Sequence, residues 1–206
     1  IFGKFASDYE QLPDDYNVSD NYALTIVLNI ISHVIQHNIC YLLYSSIAKL
    51  LTKYVKSINT NPHSLSESDY ADYITQTVNE ILGTGKNGSM LLKYITQTMP
   101  QKIVKFVLNI YESENDPDKS TTSIDPIFDN IINILIITKT IQITKTSPLI
   151  EQLKAYIFPY FKDLVVMYIK EMKNMFDVYV KYILYESKQI EIISLLLDRA
   201  INETVL

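Results

Sequence analysis

The sequence predicts a mainly α protein, an irregular multi-helix bundle with a long C-terminal helix. Three observations predict it. Apolar residues recur at spacings of three and four over most of the 206 residues, the period of one helix face. Residues of capping type stand ahead of those runs: Asp20, Ser64, Thr98, Asp125 and Ser147. Residues 160–203 contain neither glycine nor proline, the two residues least compatible with a helix interior.

The elements follow in order. Residues 1–19 are polar, with Pro13 ahead of Asp14 and Asp15, and read as an extended lead-in to a single helical domain over 20–206. Asp20 caps a helix from about 21 to 58. The stretch "NTNPHS" at 59–64 ends it, and Ser64 with Glu67 has the spacing of a capping box. The helix that follows runs to Leu82, where Gly83 suits a left-handed C-terminal cap.

The next helix begins near Ser89. Thr98-Met99-Pro100-Gln101 reads as a second start, with threonine as the cap and proline at the first position. The stretch "YESENDPDKSTTS" is the most polar of the chain, and residues 112–124 read as an exposed loop. Asp125-Pro126 opens a helix through "IFDNIINILII". The alternating "TKTIQITKT" at 138–146 reads either as a short strand or as a helix tail followed by a loop. Ser147-Pro148 starts a helix again, and Pro159 either kinks it or opens the last one.

An uninterrupted helix over 160–203 would be about 65 Å long, more than a compact domain of this size needs. Two apolar rows run along it. Tyr168, Met172, Met175, Tyr179 and Tyr182 form one, and Phe161, Leu164, Phe176, Ile183 and Leu197 belong to a second. One row can pack within the domain and leave the other for a partner. The predicted interface is therefore Tyr168, Met172, Met175, Phe176, Tyr179, Tyr182 and Ile183.

Composition excludes several function classes. The net charge is −5 and the charged content 20%, so the chain lacks the basic field of a nucleic-acid-binding domain. Cys40 is the single cysteine, which rules out an internal disulfide framework. The apolar run 23–35 is interrupted by Asn29, Ser32 and His33, so a core helix is expected there and not a transmembrane segment. The chain starts Ile-Phe-Gly, the start of a piece of a longer protein or of a processed one.

Two motifs carry candidate chemistry. "GTGKNG" at 83–88 has the glycines and lysine of a phosphate cradle. A phosphate-binding loop, however, needs Ser or Thr after Gly-Lys, and here Asn87 follows Lys86. Gly83, Gly85 and Gly88 read as an inter-helix turn. His33, His37 and Cys40, at spacings of four and three, bear zinc-ligand side chains on one helix face. Thr25, Asn29, Ser32 and Gln36 share their arc, within about 140°, so the simpler reading is a polar stripe on an otherwise apolar helix. A metal- or ligand-binding domain centred on His33, His37 and Cys40 is the alternative. No catalytic residue, cofactor or metal is expected, and no enzyme activity.

Three stretches resemble the long helical segments of large structural proteins of giant nucleocytoplasmic DNA viruses. They are "SPLIEQLKAYIFPYFKDLVVMYIKEMKNMF", "YILYESKQIEIISLLLDRA" and "MPQKIVKFVLNIYESENDPDKS", about half of the chain. The resemblance implies a minor capsid or scaffold-like role. The chain would then be a non-catalytic interaction module that contacts other proteins of a larger assembly, in the virus particle or else in the cytoplasm.

Overall fold

The computed structural model describes residues 20–59, 65–83, 89–115, 123–137, 144–180 and 189–206, with the side chains of 20–23, 111–115, 179–180, 189–190 and 192 left aside. The described residues are almost wholly helical and contain no strand. The α segments are α1 (Asp20–Ile58), α2 (Glu67–Leu82), α3 (Met90–Lys93), α4 (Met99–Asn115), α5 (Asp125–Ile137), α6 (Pro148–Gln152), α7 (Phe158–Met175) and α8 (Gln189–Val205). Single wide turns of π geometry, Tyr94–Thr98 and Leu153–Ile157, join α3 to α4 and α6 to α7, and Phe176–Val180 extends α7.

α1 is the spine. Its buried residues advance mostly by four: Ile31, Ile35, Ile39, Leu43, Ile47, Leu51 and Val55. Each step of four turns about 40° around a helix of 3.6 residues per turn, so the buried side rotates by about 200° between Ile35 and Val55. α1 accordingly packs on α7, α2, α4 and the Tyr94–Thr98 turn at different points along its length. Leu24–Ile58 has the length and apolarity to cross a membrane, and here its apolar stripe lies in the core. The buried residues of the other helices join the same core. Phe128 of α5 meets Phe158 and Phe161 of α7 there, with ring centroids 4.7 and 5.4 Å apart, within the range of favourable aromatic pairs.

The capping signals hold in part. Gly83 takes the left-handed conformation (φ 67°, ψ 34°) and its N–H donates to the carbonyls of Asn79 and Glu80. Ser147 caps α6 and accepts from the Leu149 N–H. Ser89 caps α3, accepting from the Leu92 N–H, while its own hydroxyl donates to the Leu82 carbonyl at 2.6 Å. One serine thus ties the end of α2 to the start of α3; of the "GTGKNG" motif, residues 84–88 lie outside the described residues. The cap of α2 is Ser66, which accepts from the Asp69 N–H; Ser64 lies outside the described residues. At α5 the Asp125 N–H donates to the Ser123 hydroxyl, so Asp125 is the first helical residue and serine does the capping.

Thr98 is no cap. The helix runs on from Met90 to Asn115, through a wide turn in which the Met99 N–H donates to the Tyr94 carbonyl. Pro100 follows directly. In the second wide turn the Phe158 N–H donates to the Leu153 carbonyl, and Pro159 follows directly. Proline inside a regular helix clashes with the carbonyl four residues back, and a π turn is one of the local adjustments that accommodates it. Pro159 therefore neither starts a helix nor ends one. Nothing in the sequence explains the third wide turn at Phe176–Val180.

α4 continues through Asn115, so the loop expected over 112–124 starts at least four residues later. Ile124 is buried, and residues 116–122 lie outside the described residues, as do 138–143 with the strand question they raise. The long C-terminal helix is the main correction. The last helix is α8, 17 residues long, and its most extensive packing is against α7. Lack of glycine and proline permits a continuous helix but does not enforce one.

Candidate functional site: a polar groove between α1 and α4

The N-terminal half of α1 turns polar side chains toward α4. Asn29, Ser32, His33 and Gln36 face Gln97, Pro100 and Gln101 across a groove of about 340 Å³. It continues into a space of about 550 Å³ that adds Thr25 on α1 and Lys105, Leu108 and Asn109 on α4. Asn29, His33 and Gln101 line both parts.

Each wall follows from local sequence. On α1 the polar residues occupy the arc that the rotating apolar stripe leaves free in this half of the helix. On α4 and the turn before it, Gln97, Gln101, Lys105 and Asn109 recur every four residues, one helix face. That row is the signal by which the second wall could have been found from sequence.

Ser32 anchors the groove to the rest of the fold. It is buried, and it accepts a hydrogen bond from the Tyr168 hydroxyl of α7. Burial pushes the Tyr168 phenol well above its ordinary value, with the Ser32 hydrogen bond opposing that shift. A second buried phenol, Tyr94, donates to the Ile127 carbonyl of α5 at 2.9 Å. Burial pushes it up to about 12. Both phenols stay neutral at ordinary pH and hold helices together.

Among the described residues the lining offers carboxamides, hydroxyls, one imidazole and one ammonium, and no carboxylate or thiol. Carboxamides donate and accept at once. The groove can therefore match peptide groups or polar side chains of a ligand without a charge having to be neutralised.

Of the three ligand-type residues His33 lines the groove, and the other predicted positions fall elsewhere. His33 and His37 are exposed, but Cys40 is buried among Ile39, Leu43, Met99, Ile103 and Phe161, so the three ligand-type residues do not converge. The rotation of the stripe is the reason: by residue 40 the arc that faces the groove at Asn29 has turned into the core. Burial pushes the Cys40 thiol up to about 12. Of the predicted interface, Tyr168, Met172 and Phe176 are almost completely buried within the chain itself, and Met175 packs against the same core. Phe161, Leu164 and Leu197 of the second row are buried too. α8, folded against α7, covers surface that a continuous helix would have left for a partner. The side chains of Tyr179, Tyr182 and Ile183 lie outside the described residues.

The pentapeptide Tyr-Ile-Thr-Gln-Thr occurs at 73–77 and 94–98. In α2 it is regular helix with Tyr73 exposed, and at 94–98 it is the wide turn with Tyr94 buried. The two copies share no structural role, as expected of coincidence.

No family model matches the sequence, and no solved structure does. A protein of Acanthamoeba polyphaga mimivirus, named as an ankyrin repeat protein, is 31% identical over 124 residues, covering 58% of this chain and 6% of that protein. The chain thus spans a small fraction of that relative's length. An ankyrin repeat is about 33 residues, a turn and two helices. At 39 residues, α1 is longer than a whole such repeat.

Proposed function

We propose that this chain is a non-catalytic helical interaction module of a larger giant-virus protein, acting by contact through the groove between α1 and α4. The groove is the observation that carries the proposal. Its carboxamide-rich walls suit hydrogen bonding to a polypeptide. General acid–base chemistry needs titratable groups poised on a reacting atom, and among the described lining residues His33 has no carboxylate or thiol beside it. The similarity to a giant-virus protein named for ankyrin repeats supports an interaction role and a viral setting. A minor capsid or scaffold-like place in the particle is the finer form of the same reading.

The test places a photo-crosslinking amino acid at Gln101 of the full-length protein during infection, with exposed Glu171 as the control position. Discrete protein adducts at Gln101, absent at Glu171, are expected. Equal labelling at both positions would sink the groove as a contact surface. Peptide mass spectrometry of purified particles then decides whether the module belongs to the virion.

A further inference from the structure

The far half of α1 differs chemically from the near half. Residues 21–66 contain no Asp or Glu, and their charges are Lys49, Lys53 and Lys56, in a chain of net charge −5. Spacings of four and three put the three ammonium groups within about 60° on one helix face. Lys49 and Lys53 line a second groove, of about 540 Å³, with Gln152 and Tyr156 on the opposite wall. Leu50 and Ile157 also line it.

Three features mark this groove as unfilled recognition chemistry. Among the described residues no acidic residue lines it, and neither lysine has an ion-pair partner. Tyr156 stands 71% exposed, although a tyrosine ring is among the side chains that contribute most at interfaces. The hydroxyls of Ser46 and Ser57 already donate to the carbonyls of Leu42 and Tyr54, which leaves the lysines, the Gln152 amide and the Tyr156 hydroxyl as donors to a ligand.

We infer that this groove receives an acidic segment of a partner polypeptide, with carboxylates on Lys49 and Lys53 and an apolar side chain against Tyr156 and Leu50. The inference rests on reading the chain as an interaction module and adds a second contact of defined chemistry. Four residues of helix place Lys49 and Lys53 about 6 Å apart along the axis. Alternate residues of an extended strand are about 6.6 Å apart. A strand carrying carboxylates at every second position thus matches the lysines and turns its intervening side chains the other way. Nucleic acid matches less well. The basic track from Lys49 to Lys56 is only about 10 Å long, and a polyanion reaching beyond it meets a net-acidic chain.

The experiment titrates the 206-residue chain with fluorescent probes at low salt. The probes are a short peptide alternating glutamate with leucine and phenylalanine, the same peptide with glutamine for glutamate, and a short single-stranded oligonucleotide. The glutamate peptide should bind saturably, weaken as salt rises, and lose about tenfold or more in affinity with Lys49→Gln/Lys53→Gln. The glutamine peptide should bind at least about tenfold more weakly than the glutamate peptide. Both lysines are exposed, so the double variant should melt like the wild type, which confirms that lost binding is not lost folding. Absence of saturable binding, indifference to the double variant, or tighter binding of the oligonucleotide would each overturn the inference. Crosslinking at Gln101 is independent of these lysines. Its success alongside a failed titration would remove this inference alone, whereas its failure would remove the broader reading.

Discussion

Lys173 and Asp198 form an ion pair, with Nζ 2.5 Å from Oδ1, although they are 25 residues apart. On one continuous helix that separation would be about 37 Å. The pair therefore records that α8 lies against α7, and Tyr168, Met172 and Phe176 of the apolar rows are buried within the chain.

The pair itself should contribute little. Its side chains are 27% and 52% exposed, and exposed pairs are worth about 0–1 kcal/mol. A double-mutant cycle on Lys173→Ala and Asp198→Ala should give coupling within that range, shrinking in high salt. Leu197→Ala, at a buried position beside them, should cost about 2–5 kcal/mol. Coupling larger than the cost of Leu197→Ala would mean that electrostatics, not burial, holds α8 in place.

The buried bond between Tyr168 and Ser32 should behave in the opposite way. Ser32→Ala leaves a buried phenol without its partner, a loss of about 1–3 kcal/mol. Tyr168→Phe leaves the serine hydroxyl short of a donor and should cost a comparable amount. The double variant should cost clearly less than the two singles added, because both orphaned groups are then gone. Strict additivity in urea melts would show that the bond contributes nothing.

Fold class was legible because helix periodicity and capping are local, and Gly83 and Ser147 cap helices by local geometry. The polar wall of α1 was legible for the same reason: Thr25, Asn29, Ser32, His33 and Gln36 follow each other along one helix. Partnering between distant segments was not. Nothing near Gln97, Gln101, Lys105 and Asn109 says that they face α1. Cys40 was misplaced because a helical wheel assumes a stripe of fixed direction, whereas the stripe of α1 turns steadily from Ile31 to Val55. The prolines misled because a missing N–H at Pro100 looks the same at a helix start as after a wide turn.

Those prolines make a signed prediction. A strained proline in a regular helix interior is worse than alanine by about 3 kcal/mol, so replacing it would stabilise. Where the backbone already suits proline, replacement enlarges the freedom of the unfolded chain and destabilises by about 0.4–1 kcal/mol. Pro100→Ala and Pro159→Ala should each fall in the second class. Stabilisation by several kcal/mol in chemical denaturation would refute the accommodation by π turns.

Stability should decline at alkaline pH. The Cys40 thiol is pushed up from 9.0 to about 12, mainly by burial. Below pH 9 folded and unfolded chains both keep the proton and this group adds no slope. Between 9 and 12 only the unfolded chain releases it, so the folded state binds more protons and stability falls as pH rises. Tyr94, pushed up from 10.0 to about 12, adds to the fall from pH 10 upward. Urea midpoints should be flat from pH 7 to 8.5 and drop above 9, and Cys40→Ala should lessen the slope between 9 and 10. An unchanged slope in that variant would place the thiol in water.

Core and contact surface should separate cleanly under mutation, which tests the groove against the earlier assignment of an interface to α7. Met172 and Phe176 are fully buried, so truncating either to alanine should cost about 2–5 kcal/mol and weaken any partner contact only through loss of fold. His33 is exposed and Gln101 is exposed on the facing wall. Surface substitutions of this kind usually change stability by less than about 0.5 kcal/mol. His33→Ala/Gln101→Ala should therefore melt within a few degrees of the wild type while reducing recovery of the partner identified by crosslinking at the groove. The reverse pattern, with tolerant Met172 and Phe176 and a destabilised groove variant, would return the interface to α7. The reason to expect otherwise is geometric: Met172 and Phe176 are buried within the chain, whereas His33 and Gln101 stand exposed on the two walls of the groove.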